Sequence, residues 1–297
     1  MLNRLLFILA LILAAGFGFL LFGTGNRVQR TEDGRIILRY WEKWTGFEKE
    51  AMEAVVEKYN SSQNEVYVQF ISTSEIDRKL LLATAGGNPP DIAGFWSHAV
   101  VSYAEKGVLY PLDSLMERDG ISRDDYVDSV IDTCIYRDYV WGLPATPATV
   151  SLHYNKEMFR EAGLDPEKPP ETIEELDEFA RMLTKTDEEG YYTQMGFLPS
   201  DPGWWAQFWG VWFGAHLLSE DGKELVCDSP EMIRAYKWYR SYVEDYDRDK
   251  VRFFEAANRG QFASASNSFM SGRLAMKLQG VWMANFIEKF GEGMDWA

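Results

Sequence analysis

The run RIILRYWEKW, Arg35 to Trp44, decides how the chain is read. Ile36 to Tyr40 has the β-branched and aromatic composition of a strand, and a loop around Glu42 to Gly46 follows it. Beyond the loop, Phe47, Ala51, Ala54, Val55 and Tyr59 recur at helical spacing, which predicts a helix that buries that face. The order then repeats. VYVQFIS, Val66 to Ser72, alternates as a strand, and Ile76, Leu80 and Ala83 carry a helix that stops at Gly86-Gly87. DIAGFW, Asp91 to Trp96, ends a third short strand. Strand, helix, strand, helix, strand at this spacing is the pattern of a parallel α/β lobe. In such a lobe the loops at the carboxyl ends of the strands form the ligand rim.

A second unit begins after YVWGLPAT, Tyr139 to Thr146. VSLHY, Val150 to Tyr154, reads as a strand, and Asn155 caps a helix bearing Met158, Phe159 and Ala162 that ends at Gly163. Thr172 with Glu175 forms a capping box ahead of Leu176, Phe179, Ala180 and Leu183. Asp201-Pro202 starts another helix, with Asp at the cap and Pro at the first position. Asp221-Gly222 is a turn between short extended pieces. Ser229-Pro230 opens a helix with a stripe of Met232, Tyr236, Tyr239 and Val243. RLAMKLQG, Arg273 to Gly280, is a strand, and Trp282 opens a last helix.

Composition bounds the chemistry. With 46% apolar residues in 297 the chain buries a real core in one large domain or two ordinary ones. A formal charge of -16 repels a nucleic-acid backbone. Cys134 and Cys227 are the two cysteines, enough for one bridge but not for a disulfide scaffold. Eighteen uncharged apolar residues run from Leu5 to Phe22, which reads as a membrane anchor or a cleaved export signal. LAAG at Leu13 to Gly16 resembles a lipoprotein processing site, but Gly16 stands where the lipidated cysteine would be. No phosphate-cradling glycine loop, HExxH or CxxC is present, and no cofactor is expected. The three histidines, His98, His153 and His216, lack a ligand spacing, and His153 reads as a hydrogen-bonded structural residue in a strand. Paired carboxylates of a glycosidase cannot be recognised from linear spacing, so a membrane-tethered carbohydrate hydrolase stays open as an alternative.

Aromatic residues are the stronger signal. They fall at loops or helix starts: Trp41 and Trp44, Phe95 and Trp96, Trp141, Trp204 and Trp205, and Trp282. A flat ring suits the C–H face of a sugar, while nearby polar groups take its hydroxyls; the competing reading of each is simple core packing. GWWAQFWGVWF, Gly203 to Phe213, holds four of the eleven tryptophans. Trp204 and Trp205 occupy the expected first helical turn and suit a stacking platform, whereas Trp209 and Trp212 are assigned to packing.

Four segments carry a family resemblance: LATAGGNPPDIAGFW, GVLYPLDSLM, the long run from Val140 to Leu183, and FMSGRLAMKLQGVWMANF. Together they resemble the extracytoplasmic solute-binding proteins of sugar-importing ATP-binding cassette (ABC) transporters, the group that includes maltose-binding and glycerol-phosphate-binding proteins. The resemblance runs from about Arg35 to the end. It implies a bilobal α/β clamshell of the periplasmic-binding-protein kind that captures a carbohydrate, a polyol or a sugar phosphate without catalysis. It also implies delivery to a membrane permease, a monomeric state and no nucleic-acid partner. A purely structural, non-binding fragment remains a further reading. The implied divisions are a signal or anchor (1–24), a tether (25–34), a first lobe (35–142), a second lobe (143–272) and a return crossing to the first lobe (273–297). Family members continue well past the Gly280–Trp282 segment, so a clamshell lacking its C-terminal portion is expected. Crossings near Tyr139 to Thr146 and Ser271 to Leu278 are expected to flex.

The same resemblance places ligand contacts on Trp41, Glu42, Trp44 and Thr45 in the first loop, and on Ser72 and Ser74 after the second strand. It adds Phe95 and Trp96 after the third strand, and Pro144 and Thr146 in the crossing. In the second lobe the contacts fall on Trp204 or Trp205 and on Gly280 and Trp282. Tyr154, Asn155 and Lys156 are expected as scaffold, with Lys156 facing solvent.

Overall fold

The apolar strand at Ile36 becomes the centre of a parallel sheet. The computed structural model describes residues 28–297 apart from 202, 205, 220 and 259–262. The chain forms two compact units that divide between Pro147 and Ala148. In the first, β1 (Ile36–Glu42) and β2 (Val66–Ser72) flank helix α1 (Gly46–Ser62), then α2 (Ile76–Ala85) leads to β3 (Ile92–Gly94). All three strands are parallel in the order β2-β1-β3, and Glu42 lies level with both Ser72 and Gly94.

Helix α1 forms where expected but is rotated. Its inward residues are Met52, Val56 and Asn60, while Ala51, Ala54, Val55 and Tyr59 are exposed. The cause is polar. β2 is an edge strand, and the Asn60 amide both donates to the Val68 carbonyl at 3.0 Å and accepts from the Val68 N–H at 2.8 Å.

After β3 the first unit continues through α3 (Val100–Glu105), α4 (Asp113–Asp119) and α5 (Asp128–Ile131) to a hairpin, β4 (Ile135–Tyr136) with β5 (Tyr139–Val140). Arg137 and Asp138 turn that hairpin with φ of 50° and 67°, the sign a type I′ turn requires at both positions. Two small cores result. Leu80, Ala99 and Tyr103 form one, and Met116, Ile131, Cys134 and Val140 form the other.

The second unit begins with β6 (Val150–Tyr154), α6 (Lys156–Glu161), α7 (Ile173–Leu183), β7 (Lys185–Thr186) and β8 (Tyr192–Gln194). It ends with α8 (Trp209–Trp212), α9 (Pro230–Asp245), α10 (Arg248–Asn258), β9 (Met276–Gly280) and α11 (Trp282–Phe290). β9 lies between β6, to which it is antiparallel, and Met195–Gly196, which bonds to Ala275 and Met276 in the parallel sense. One face of the β6–β9 ladder carries Leu152, Tyr154, Met276 and Leu278 into a core with Phe159, Leu183, Phe197 and Ala235.

Several expectations change here. Residues 273–297 do not return to the first lobe: β9 pairs with β6, and the Tyr154 and Ala297 backbones exchange hydrogen bonds at 2.8 and 3.1 Å. Ser271 to Leu278 is therefore internal to the second unit, and the division falls after Pro147 rather than after Gly142. Asp201 does not start a helix; turns occupy the described residues up to Phe208 and α8 begins at Trp209. The capping box is half formed: Thr172 Oγ1 accepts from Glu175 N–H, but the Glu175 carboxylate accepts from Glu171 N–H instead. Along α9 the inward face is Met232, Ala235, Tyr239 and Tyr242, with Tyr236 and Val243 exposed. Lys156 does not simply face solvent, because its ammonium bonds both carboxylate oxygens of Glu167 at 2.9 and 2.8 Å. Cys134 and Cys227 are both free thiols. Leu5 to Phe22, Pro202 and Trp205 lie outside the described residues. Among the described residues no helix is long and apolar enough to cross a membrane.

Candidate functional site

Alternation along β1 ends on a charge. Glu42 is only 2% exposed, although its strand partners Ser72 and Gly94 stand at the carboxyl ends of β2 and β3. Its carboxylate accepts from the Tyr40 hydroxyl, from Lys43 N–H at 2.8 Å and from Lys43 Nζ at 3.3 Å. Burial and the adjacent carboxylate both push the Tyr40 phenol far up, so it stays a donor. Lys43 Nζ in turn lies 4.1 Å from the ring centroid of Trp44 and 4.7 Å from that of Trp96. Those two rings meet edge to face at 5.5 Å, and Ser72 Oγ donates to the Trp44 carbonyl at 2.5 Å. Trp96 remains 46% exposed. The rim therefore presents aromatic surface fixed by a buried acid and an enclosed cation. Lys43 was missed from sequence; a lone cation within an acidic and aromatic loop was the available signal.

The other expected residues of this unit divide. Trp41 sits on β1 with its indole N–H buried and without a partner among the described residues. Thr45 precedes α1 without a side-chain capping bond, and Ser74 is exposed beyond β2. Phe95 does not join the rim: its ring packs on Tyr103 at 5.1 Å, in the core with Leu80 and Ala99. Pro144 and Thr146 lie on the irregular stretch before Pro147, and Thr146 is exposed.

In the second unit the end of β9 gathers the expected residues. The Trp282 ring lies against Gly280, and its centroid is 6.5 Å from that of Trp204 at a 50° tilt. Trp204 is 44% exposed. Trp209 is buried against Phe197, Trp238 and Trp212, as packing required, but Trp212, whose ring meets those of Trp209 and Phe208, is 44% exposed. The polar face of the β6–β9 ladder escaped sequence reading. Lys277 Nζ, 3% exposed, pairs with Asp201 and bonds Ser268 Oγ at 3.0 Å, while Ser268 Oγ also donates to Asp201 at 3.0 Å. Next to it Gln279 is fully buried, and its Nε2, like Trp282 Nε1, has no partner among the described residues. His153 stands opposite Lys277, with Nδ1 3.2 Å from the Ser151 carbonyl and its ring stacked on Trp296. Burial holds that imidazole below its ordinary range.

A cavity of about 470 Å³ opens at the opposite end of the ladder, among Asn155, Met158, Gln194, Met270, Phe290 and Met294. None of the expected ligand residues lines it. Among the described residues no group of three or more His, Cys, Asp or Glu is arranged to hold a metal ion.

Comparison with known proteins gives this arrangement a context. A maltotriose-binding protein of Pyrococcus abyssi is 21% identical over 259 residues, which is 87% of this chain and 52% of that protein. An sn-glycerol-3-phosphate-binding periplasmic protein of Agrobacterium fabrum is 25% identical over 178 residues, 58% of this chain and 40% of its own length. The solved structure of CpMnBP1 with mannotriose bound superposes with a TM-score of 0.78 at 29% identity, covering 89% of this chain and 67% of that one. The chain spans about half the length of the curated relatives it matches. Its fold is the mixed α/β fold of the periplasmic binding proteins. The family profile for bacterial extracellular solute-binding proteins matches residues 46–296, and the chain belongs to that family.

Proposed function

We propose that the protein captures a carbohydrate outside the cytoplasm and delivers it, chemically unchanged, to an ABC-type permease. The observation that carries this reading is the rim of the first unit. Aromatic faces at Trp44 and Trp96 stand beside hydrogen-bonding groups whose positions are fixed by buried Glu42. A sugar offers the matching surface, an apolar C–H face bordered by hydroxyls. Trp204 and Trp282 supply the corresponding aromatic surface in the second unit.

In this reading the two units are lobes of a clamshell. Ligand meets one lobe first, and the closed state is populated because it binds the sugar better than the open state does. The ligands for which these relatives are named, mannotriose, maltotriose and glycerol 3-phosphate, define the first probes. The overall charge of -16 disfavours a polyanionic ligand but not a neutral sugar. The apolar stretch Leu5 to Phe22 would export the chain and, where uncleaved, tether it.

Titration of intrinsic tryptophan emission with mannotriose, maltotriose and glycerol 3-phosphate tests the proposal. Saturable quenching or a spectral shift with full recovery of intact ligand is the expected result. Appearance of shorter saccharides in the recovered pool would overturn the non-catalytic reading, and silence with every sugar and polyol would overturn the ligand class.

A further inference from the structure

Two glycines terminate strands where the candidate ligand residues begin, and neither is required by its backbone. Gly94 closes β3 and Gly280 closes β9. Neither has a φ in the left-handed region, so an alanine would meet no backbone strain at either position. What glycine supplies here is space. A Cβ on Gly94 would lie 1.9 Å from Glu42 Oε2 and 2.5 Å from its Cδ. A Cβ on Gly280 would lie 2.3 Å from both Cη2 and Cζ3 of Trp282 and 2.6 Å from Cε3. Carbon and oxygen atoms do not approach so closely, so the seated side chain would have to move.

Other glycines show similar closeness for a different reason. A Cβ on Gly196 would strike the Ala180 backbone of α7 at 2.1 Å, and one on Gly210 would strike Met232 of α9, also at 2.1 Å. Those contacts join helices to the core. Gly94 and Gly280 touch the groups that set the two aromatic surfaces. Glu42 lies on Gly94 and holds Lys43 between Trp44 and Trp96, while the Trp282 indole lies on Gly280 and meets Trp204 beyond it.

We propose that Gly94 and Gly280 are positioning residues, each a bare patch of strand backbone that seats one side chain of the ligand surface. Gly94 fixes the depth of the Glu42 carboxylate and through it the place of Lys43; Gly280 fixes the height and tilt of the Trp282 ring. The consequence for affinity rests on the sugar-binding reading, but the seating itself does not.

The test uses the full chain labelled with 5-fluorotryptophan. The fluorine resonance of residue 282 is assigned by its loss in Trp282→Leu, and that of residue 96 by its loss in Trp96→Leu. Without ligand, Gly280→Ala should shift the first resonance and Gly94→Ala the second, with far-ultraviolet circular dichroism unchanged. Mannotriose affinity should fall about tenfold in each variant, the scale of a misplaced aromatic contact. In a Trp282→Leu background Gly280→Ala should cost nothing more, and in a Glu42→Ser background Gly94→Ala should cost nothing more.

An unmoved resonance, or the same loss of affinity in both backgrounds, overturns the seat. Should Gly280→Ala fail to fold, recovery of folding in Gly280→Ala/Trp282→Leu supports the seat, and continued failure overturns it. Gly94→Ala is judged in the same way against Gly94→Ala/Glu42→Ser. If the unaltered protein binds no sugar, the functional reading fails while the fluorine shifts still decide the seating.

Discussion

The two units bury different things. In the second, Phe159, Leu183, Met195, Phe269, Leu274, Met276, Met283 and Phe286 are all fully buried, and the ladder between β6 and β9 is covered by apolar side chains on one face. In the first, the sole buried residue on the three parallel strands is Glu42, and Ile71 and Ile92 are exposed. Parallel sheets are ordinarily covered on both faces. The contrast separates two uses of strand geometry. β9 delivers Trp282 from a tightly packed interior, whereas the only fully buried side chain of β1 is a carboxylate that holds Lys43 beside Trp44 and Trp96. Apolar strand packing and the polar rim are thus distributed unequally between the two units.

The largest expected effect tests the packed side of that contrast. Trp209→Ala should cost roughly 3–5 kcal/mol, because its ring is enclosed by Phe197 and Trp238. Phe70→Ala on half-buried β2 should cost about 1–2 kcal/mol. Hydrogen exchange resolved by unit measures both, and equal losses would break the comparison. A second effect comes from the polar face. Asp201→Ala should cost about 3 kcal/mol in denaturant unfolding, because it strands the Lys277 ammonium at 3% exposure. Adding Lys277→Met should recover most of that loss; an unrecovered deficit would mean that Asp201 acts through its turn and not through the ion pair.

A smaller effect separates binding from packing within one run of aromatics. Trp204→Ala should weaken mannotriose binding about tenfold, or ~1.4 kcal/mol, in an emission titration, while stability changes by less than about 1 kcal/mol. Loss of stability without loss of affinity would return Trp204 to the core. The smallest effect is on pH. Burial lowers the His153 pKa from its ordinary 6.5, so the unfolded chain takes up a proton before the folded chain as pH falls. Stability from this residue is complete above about 6.5 and declines below it, until pH passes the folded pKa. Urea midpoints at pH 7.5 and 5.5 should show the decline, and His153→Asn should flatten that part of it. An unchanged slope would assign the decline to other groups.

The placement of several candidate residues was legible because strand ends are legible. Trp41 through Trp44, Ser72, and Phe95 and Trp96 stand at or just past the ends of recognisable strands, and the parallel register brings Glu42, Ser72 and Gly94 level. Phe95 and Trp96 could not be told apart in sequence, because alternation alone does not say which of two adjacent aromatics turns inward; the Tyr103 ring of α3 decides it. Trp212 was misassigned for a related reason. Helical spacing grouped it with Trp209, but the described turns before Trp209 replace the expected helix start and leave Trp212 at the surface.

Sequence alone determined the strand and helix order from β1 to β3, the caps at Asn155 and Ser229, and the family, because these depend on local composition and on motifs along the chain. Tertiary structure decided the rest. It chose the face of α1 through Asn60 and the edge of β2, kept 273–297 in the second unit through the β6–β9 ladder, and enclosed Lys43 and Lys277. Each of these depends on distance and burial in space, most of them between residues on separate elements, and neither quantity is written in the order of residues.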